Sequence, residues 1–326
     1  MYDGKSTAFW TIGAGQGELC EAPLPSPIGD EVQVRTLYSA VSRGTESLVW
    51  RGLVPESEYE RMRAPFQEGA FSGPVKYGYI AVGIVEAGPS SLIGRNVFCL
   101  HPHQDRFVVP ASAVTPLPEG VPPSRAVLAA NMETAVNGLW DAKPLLGEKI
   151  TVIGAGVVGL LIAYLAAQIP GTQVEVIDPL PAKAAAAKAL GVVCVPPDAA
   201  SRDADLVLHA SGNPAGLELA LEISGFEARI VEMSWYGTMR ASLSLGGAFH
   251  AKRLKLLSSQ VGHLPAGQLP RWDYKKRMEL ALRLLCDPML DVLISGEDIF
   301  EDLPDVMKRI TQDQNTLCHR IRYHQN

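Results

Sequence analysis

The chain contains no Cys-x-x-Cys pair: its five cysteines, Cys20, Cys99, Cys194, Cys286 and Cys318, are scattered along 326 residues. That scatter excludes a disulfide framework and a cysteine-rich zinc lobe, and it points to a reduced compartment. Basic clusters are also missing and the formal net charge is -6, which argues against an electrostatic nucleic-acid binder. No apolar run reaches the ~20 residues that a membrane-spanning helix requires; the most apolar, Gly156 to Ala167, is too short. The opening Met1-Tyr2-Asp3-Gly4-Lys5 lacks the basic-then-apolar build of a signal peptide. Heptads, internal repeats and low-complexity segments are absent as well. These absences lead us to expect a soluble, cytoplasmic protein with neither a nucleic-acid nor a membrane partner.

What is present is a large apolar fraction. With 47% hydrophobic and 20% charged residues, the chain can bury a sizeable core, and its length suits about two domains. One stretch organises it: Lys149-Ile150-Thr151-Val152-Ile153-Gly154-Ala155-Gly156-Val157-Val158-Gly159. A β-branched strand runs into a glycine-rich turn, an apolar helical run follows to Gln168, and Pro170-Gly171 stops it. The next strand, Gln173 to Ile177, ends at Asp178. Gly154 suits a tight turn, Gly156 lets backbone approach a pyrophosphate, and Gly159 lets helix and strand pack closely. Val157 and Val158 open the helix whose free N–H groups favour phosphate. Asp178 is placed to accept hydrogen bonds from a ribose 2′-hydroxyl. It would repel a 2′-phosphate, so NAD is favoured over NADP, although Lys183 weakens that preference. The competing reading is an ordinary βα turn with Asp178 as a surface acid.

Residues 1 to about 120 read as β-rich, with strands at Glu31–Leu37, Tyr77–Ala87, Arg95–His101 and Arg106–Val109 bounded by Gly, Pro and Ser clusters. A helix is expected from Ser124 to Trp140. From Lys149 strands and helices alternate, which implies a doubly wound parallel sheet. Its helices include Pro181–Leu190 and Pro214–Ile223, and its strands Val192–Val195, Asp205–Ala210, Arg229–Glu232 and Leu254–Ser258. Helices at Tyr274–Leu285 and Pro304–Ile310 precede a last strand, Leu317–Tyr323. The expected organisation is a β-rich catalytic domain over 1–130, a dinucleotide-binding Rossmann domain over 131–262, and a return to the first domain over 263–326.

Several markers together resemble the medium-chain dehydrogenase/reductase superfamily over nearly the whole chain. They are Pro23-Leu24-Pro25, Ser39-Ala40-Val41-Ser42-Arg43-Gly44-Thr45-Glu46, Gly94-Arg95-Asn96-Val97, Val108-Val109-Pro110, the glycine fingerprint, and Leu206 to Ala210 with Ser211-Gly212. Ser42 to Glu46, Asn131-Met132-Glu133-Thr134 and Ser258 to Gly262 are similar, more narrowly, to the branch containing bacteriochlorophyllide hydroxyethyl dehydrogenase. The resemblance implies an α/β fold in which a β-rich GroES-like catalytic domain accompanies the Rossmann domain. It also implies a small-molecule substrate, a homodimer joined through the cofactor domain, and cofactor contacts from Ser211 and Gly212.

Departures from the superfamily pattern concern zinc. The positions of the three catalytic zinc ligands fall on Arg43 (or Ser42), Tyr79 and Ala130, and the four-cysteine lobe is missing. A zinc site needs three or four N, S or O ligands in one small volume, so the expected enzyme is zinc-free, with no metal. Its alkoxide then needs another donor. Thr45 matches the hydroxyl that relays the proton in zinc-dependent relatives; otherwise it is a turn or cap threonine. Tyr79 carries a phenol that can donate a proton; otherwise it is a strand tyrosine packed by its ring. His101 stands where relatives place a pocket side chain, and its imidazole suits acid–base work. Cys99, His101 and His103 share one strand face by the period-two rule, yet Pro102 interrupts the ladder and no fourth ligand is evident. Arg43, His103 and Glu133 complete the candidate substrate pocket. Arg43 is alternatively a partner for Glu46, and Glu133 a solvated helix acid. Trp235-Tyr236 and Phe249-His250 read as packing, or as a cofactor edge or dimer contact.

The leading expectation is a zinc-independent, NAD-preferring oxidoreductase acting on an alcohol or carbonyl. The alternatives are an NADPH-dependent quinone- or enoyl-type reductase and a dinucleotide-binding redox sensor without turnover.

Overall fold

The computed structural model describes residues 4–324, so the reading of Met1–Asp3 lies outside the described residues. The chain divides into two compact units, residues 1–130 with 278–326, and residues 131–277.

The first unit begins with β1 (Lys5–Gly13), β2 (Gln16–Pro23), β3 (Glu31–Val41), α1 (Arg43–Trp50), β4 (Glu68–Gly69), β5 (Val75–Lys76), β6 (Ala81–Ala87), β7 (Asn96–Cys99), β8 (Arg106–Pro110) and β9 (Val114–Pro116). Strand β3 is its spine. Val32, Val34 and Thr36 alternate inward, as a half-buried strand requires, and the two valines join Val85, Val97, Phe107 and Val109 in one core. Helix α2 (Pro123–Ala126) starts on a proline, which suits the first helical turn, and a turn at Val127–Leu128 separates it from α3 (Ala129–Ala142). The single helix expected over Ser124–Trp140 is therefore two.

The second unit holds β10 (Lys149–Ile153), α4 (Val157–Ala166), β11 (Gln173–Ile177), α5 (Lys183–Ala189), β12 (Val193–Val195), β13 (Ala204–His209), α6 (Pro214–Ile223), β14 (Ser224–Glu232) and β15 (Lys255–Ser258). These strands form one parallel sheet in the order β12-β11-β10-β13-β14-β15. The order reverses between β10 and β13, and in open sheets of this kind ligands bind outside the carboxyl ends of the strands at that switch point. The unit runs on to Arg277, past the expected boundary at 262. Trp272 packs on Trp140 at 4.9 Å, and Arg277 is buried against Glu133 and Asn137; these contacts hold 263–277 to the cofactor unit.

The chain ends with α7 (Tyr274–Leu284), β16 (Ile294–Ile299), α8 (Leu303–Ile310) and β17 (Cys318–Arg322). Strand β17 pairs antiparallel with β3, completing the sheet order β16-β17-β3-β6-β7-β9 with β8 also on β3. Helix α8 buries Leu303, Val306, Met307 and Ile310, the i, i+3, i+4, i+7 stripe of an amphipathic helix. That stripe packs with Phe9, Trp50 and Tyr323.

Candidate active site

In the first unit the site grows from the junction of β3 and α1. The N-cap Ser42 makes no side-chain cap; instead the Glu46 carboxylate folds back and accepts the Ser42 N–H at 2.7 Å. Its other oxygen lies 2.9 Å from Nε2 of His103. The opposite ring nitrogen, Nδ1, meets the Ser39 hydroxyl at 2.7 Å, and Ser39 meets the Tyr323 hydroxyl at 3.0 Å. All four side chains are buried. Gly78 makes the close approach possible: at φ +124 it passes over His103, and a Cβ there would lie 2.9 Å from the ring.

Next to that glycine, the Tyr79 phenol lies close to the hydroxyls of Ser42 and Thr45. Desolvation and the neighbouring Glu46 charge push its pKa up to about 12, while the two hydroxyl contacts pull the other way. The phenol is therefore protonated at neutral pH, and an alkoxide is still basic enough to take its proton. Two candidates from separate stretches, Thr45 and Tyr79, are thus brought together. Arg43 opens α1 beside them.

The remaining candidates lie differently. His101 is sandwiched, its ring 3.8 Å from Phe107 and nearly parallel, with Phe66 on another side at 5.6 Å. Burial lowers its pKa to about 3, and Nδ1 donates to the Pro102 carbonyl at 3.0 Å. The ring is neutral at physiological pH, so it cannot serve as the titrating acid that its position suggested. His103 faces Glu46 and Ser39. Glu133, buried, is the ion-pair partner of Arg277 at 3.0 Å, and burial raises its pKa against the pull of that arginine. Glu133 is a buried member of a polar network there, not a solvated helix acid.

In the second unit the glycine turn is a cradle. Gly154 has φ +107, and a Cβ on it would lie 2.8 Å from the Ser211 backbone. A Cβ on Gly159 would come within 1.9 Å of the Gly154 carbonyl oxygen, whereas one on Gly156 would meet nothing within 4 Å. Helix α4 begins there with no side-chain cap, leaving the first N–H groups, those of Val157 and Val158 among them, able to meet an anion. The Asp178 carboxylate accepts the Ala155 N–H at 2.8 Å and the Leu180 N–H at 2.9 Å. Each oxygen keeps a lone pair for a ribose hydroxyl. These residues fit a dinucleotide.

They do not fit a zinc ion. Arg43, Tyr79 and Ala130 supply no ligand, and Glu46 and His103 are engaged with each other. Cys99 belongs to the apolar core. Among the described residues no three His, Cys, Asp or Glu side chains gather as a metal site.

Sequence reasoning did not assign roles to Ser39 and Tyr323, or to a second pair, buried His209 and half-buried Glu232, at the carboxyl ends of β13 and β14. No local pattern marks them, since each pairing joins distant segments.

No protein-family model matches the chain. It is 22% identical over 302 residues to D-guloside 3-dehydrogenase of Escherichia coli (strain K12), covering 82% of this chain and 86% of that protein. It is 28% identical over 247 residues to 2-desacetyl-2-hydroxyethyl bacteriochlorophyllide A dehydrogenase of Rhodobacter capsulatus, covering 70% and 73%. Among solved structures it resembles a short chain alcohol dehydrogenase (rspB) from E. coli CFT073 complexed with NADH, with a TM-score of 0.77, 18% identity, and 98% and 99% coverage.

Proposed function

We propose that this chain, which belongs to the medium-chain dehydrogenase/reductase superfamily, moves a hydride between NAD and the carbon of an alcohol or carbonyl substrate without zinc. The fold combines a GroES-like unit with a Rossmann unit, and each takes one part of the chemistry. In the Rossmann unit, Gly154, Gly156, Gly159 and the first turn of α4 hold the pyrophosphate, with Asp178 on a ribose. NAD supplies or accepts the hydride when bound. The Asp178 charge supports NAD over NADP, and Pro179-Leu180 bring no arginine to offset it.

In the other unit the residues handle the proton. Tyr79 donates to the substrate oxygen as negative charge develops there, the role a preorganised donor plays for any oxyanion. Thr45 and Ser42 orient the phenol. The observation that carries the proposal is this hydroxyl cluster, Tyr79 beside Ser42 and Thr45, gathered where zinc ligands would stand.

We propose further that the protein is a homodimer assembled through the Rossmann sheet. Strand β15 is its edge, and all four residues are exposed, Leu256 and Leu257 included. An exposed apolar edge strand is a template for pairing. Five free cysteines support a reducing, cytoplasmic setting, and among the described residues no helix is long and apolar enough to cross a membrane.

The test is turnover by chelator-treated protein, with NADH and NADPH compared on carbonyl compounds and on conjugated enones. NADH-linked carbonyl reduction without bound metal is expected. Activity that returns only with one zinc per chain would end the zinc-free proposal. NADPH-linked enone reduction would favour the quinone- or enoyl-type alternative, and NADH binding with no turnover the redox-sensor one.

A further inference from the structure

Beside the glycine turn lies a hydrogen-bonded chain that the hydride-transfer proposal does not use. The exposed Ser211 hydroxyl is 2.6 Å from Nε2 of His209, and Nδ1 of the same ring is 2.7 Å from Glu232. The ring is fully buried. Glu232 also accepts the Tyr236 hydroxyl at 2.9 Å and the Ser234 N–H at 2.6 Å. Burial opposes its charge, but the hydrogen bond and charge of His209, with the Ser234 contacts, outweigh it and hold its pKa below the usual carboxylate range. An ionised carboxylate only accepts, so Nδ1 carries a hydrogen toward it.

The same serine–imidazole–carboxylate order serves serine hydrolases, but they also need free N–H groups for an oxyanion. Here those groups are occupied. The Gly212 N–H donates to Ser234, Asn213 to Ser211, Ala215 to the Asn213 side chain, and Gly216 to the Asn213 carbonyl. Residue 214 is proline and has none. The chain is not built for acyl transfer.

It does set the polarity of one hydroxyl. When the imidazole is neutral and its Nδ1 hydrogen faces Glu232, Nε2 can only accept, so the Ser211 O–H points at it, and one oxygen lone pair takes the Asn213 N–H at 3.1 Å. A serine oxygen has a second lone pair, and Ser211 is exposed just past the end of β13. Ser211 touches the glycine turn, since a Cβ on Gly154 would meet its Cα at 2.8 Å. Asp178 follows β11, on one side of the switch point; Ser211 lies two residues past β13, on the other. The two halves of a dinucleotide lie on opposite sides of that point.

We infer that His209, held by Glu232, fixes Ser211 as a hydrogen-bond acceptor for a ribose hydroxyl in the nicotinamide half of the bound dinucleotide. The inference rests on the proposed dinucleotide site. His209 and Glu232 are positioning residues: they touch no ligand, and they act by keeping the Ser211 hydrogen turned away from it.

Equilibrium binding of NADH, ADP-ribose and ADP to the full chain tests this. ADP lacks the second ribose, and ADP-ribose has it without the nicotinamide. Ser211→Ala is expected to weaken NADH and ADP-ribose by about 3- to 10-fold, the worth of one hydrogen bond, and to leave ADP unchanged. His209→Leu is expected to weaken the same two ligands at least about twofold, because the hydroxyl loses its fixed acceptor. His209→Gln, whose amide oxygen can receive the Ser211 hydrogen, is expected to restore wild-type binding. The inference is overturned if Ser211→Ala weakens nothing, weakens ADP equally, or weakens NADH but not ADP-ribose. Equal losses in the two His209 variants would overturn the positioning role. Wild-type protein that binds neither NADH nor ADP would remove the dinucleotide site itself, a failure distinct from the others.

Discussion

Tyr79 and His101 show how strongly surroundings decide what a titratable side chain can do. Tyr79 keeps its proton because burial and Glu46 oppose the phenolate more than the nearby Ser42 and Thr45 hydroxyls favour it. Tyr79→Phe is therefore expected to lower kcat by about 10²- to 10⁴-fold, the range for losing a positioned proton donor. NADH affinity should be unchanged, and a variant with full kcat would remove Tyr79 from the chemistry. His101 predicts a pH effect on stability. An unfolded imidazole takes its proton near pH 6.5, whereas the folded one waits until about pH 3. Between those values the unfolded chain binds the extra proton, so stability is complete above pH 6.5 and falls as pH drops through that window. His101→Phe keeps a ring between Phe66 and Phe107 and removes the titration. From pH 7 to pH 5 the wild type should lose about 2 kcal/mol more than the variant in urea unfolding; parallel losses would contradict the assignment. Thr45 and Tyr79 could be picked from the sequence because hydroxyls stand where ligands are missing. The Glu46–His103 contact could not, since its partners are 57 residues apart and only folding brings them together.

At the scale of elements, the glycine turn separates two roles that a motif merges. Gly159 has no room, its virtual Cβ falling 1.9 Å from the Gly154 carbonyl, while Gly156 has open space. Gly159→Ala should force the turn and α4 apart and destabilise the protein by roughly 1–3 kcal/mol or more, as overpacking does. Gly156→Ala should leave the melting temperature nearly unchanged but weaken NADH, because its methyl group enters the space left for the pyrophosphate. Thermal melts with NADH titrations distinguish the pair, and equal melting shifts would refute the division. The elements of this sheet were legible because their signals are local. Helix α6 spans Pro214–Ile223 in sequence and structure alike, with Asn213 capping Ala215 N–H and proline next. Helix α1 was less legible: it is short and begins Arg-Gly-Thr, and Gly is a poor helix former. It is set by packing, with Val49 and Trp50 buried against neighbours. Strand β16 likewise carries a glycine and two acids and is fixed by pairing with β17.

On the scale of the whole molecule, two parts of the chain separated by the Rossmann unit make one compact unit. The sequence suggested that return through its last strand, and β17 does pair with β3. The extent of the cofactor unit was harder to see, because residues 263–277 carry no regular strand or helix pattern before α7; they are held by Trp272 and by the buried Arg277. Assembly is a separate question, and β15 is where the proposed dimer is most exposed to test. Leu257 is 41% exposed on that edge, so a charge there should barely disturb the fold of one chain. In a dimer built on this edge the same lysine would be placed against its own copy, where like charges repel and an apolar contact is lost. Leu257→Lys should therefore shift the protein from dimer to monomer in light scattering after size exclusion, with its far-ultraviolet spectrum retained. A dimer that survives this change would move the interface elsewhere, and a wild type that is already monomeric would remove the dimer proposal.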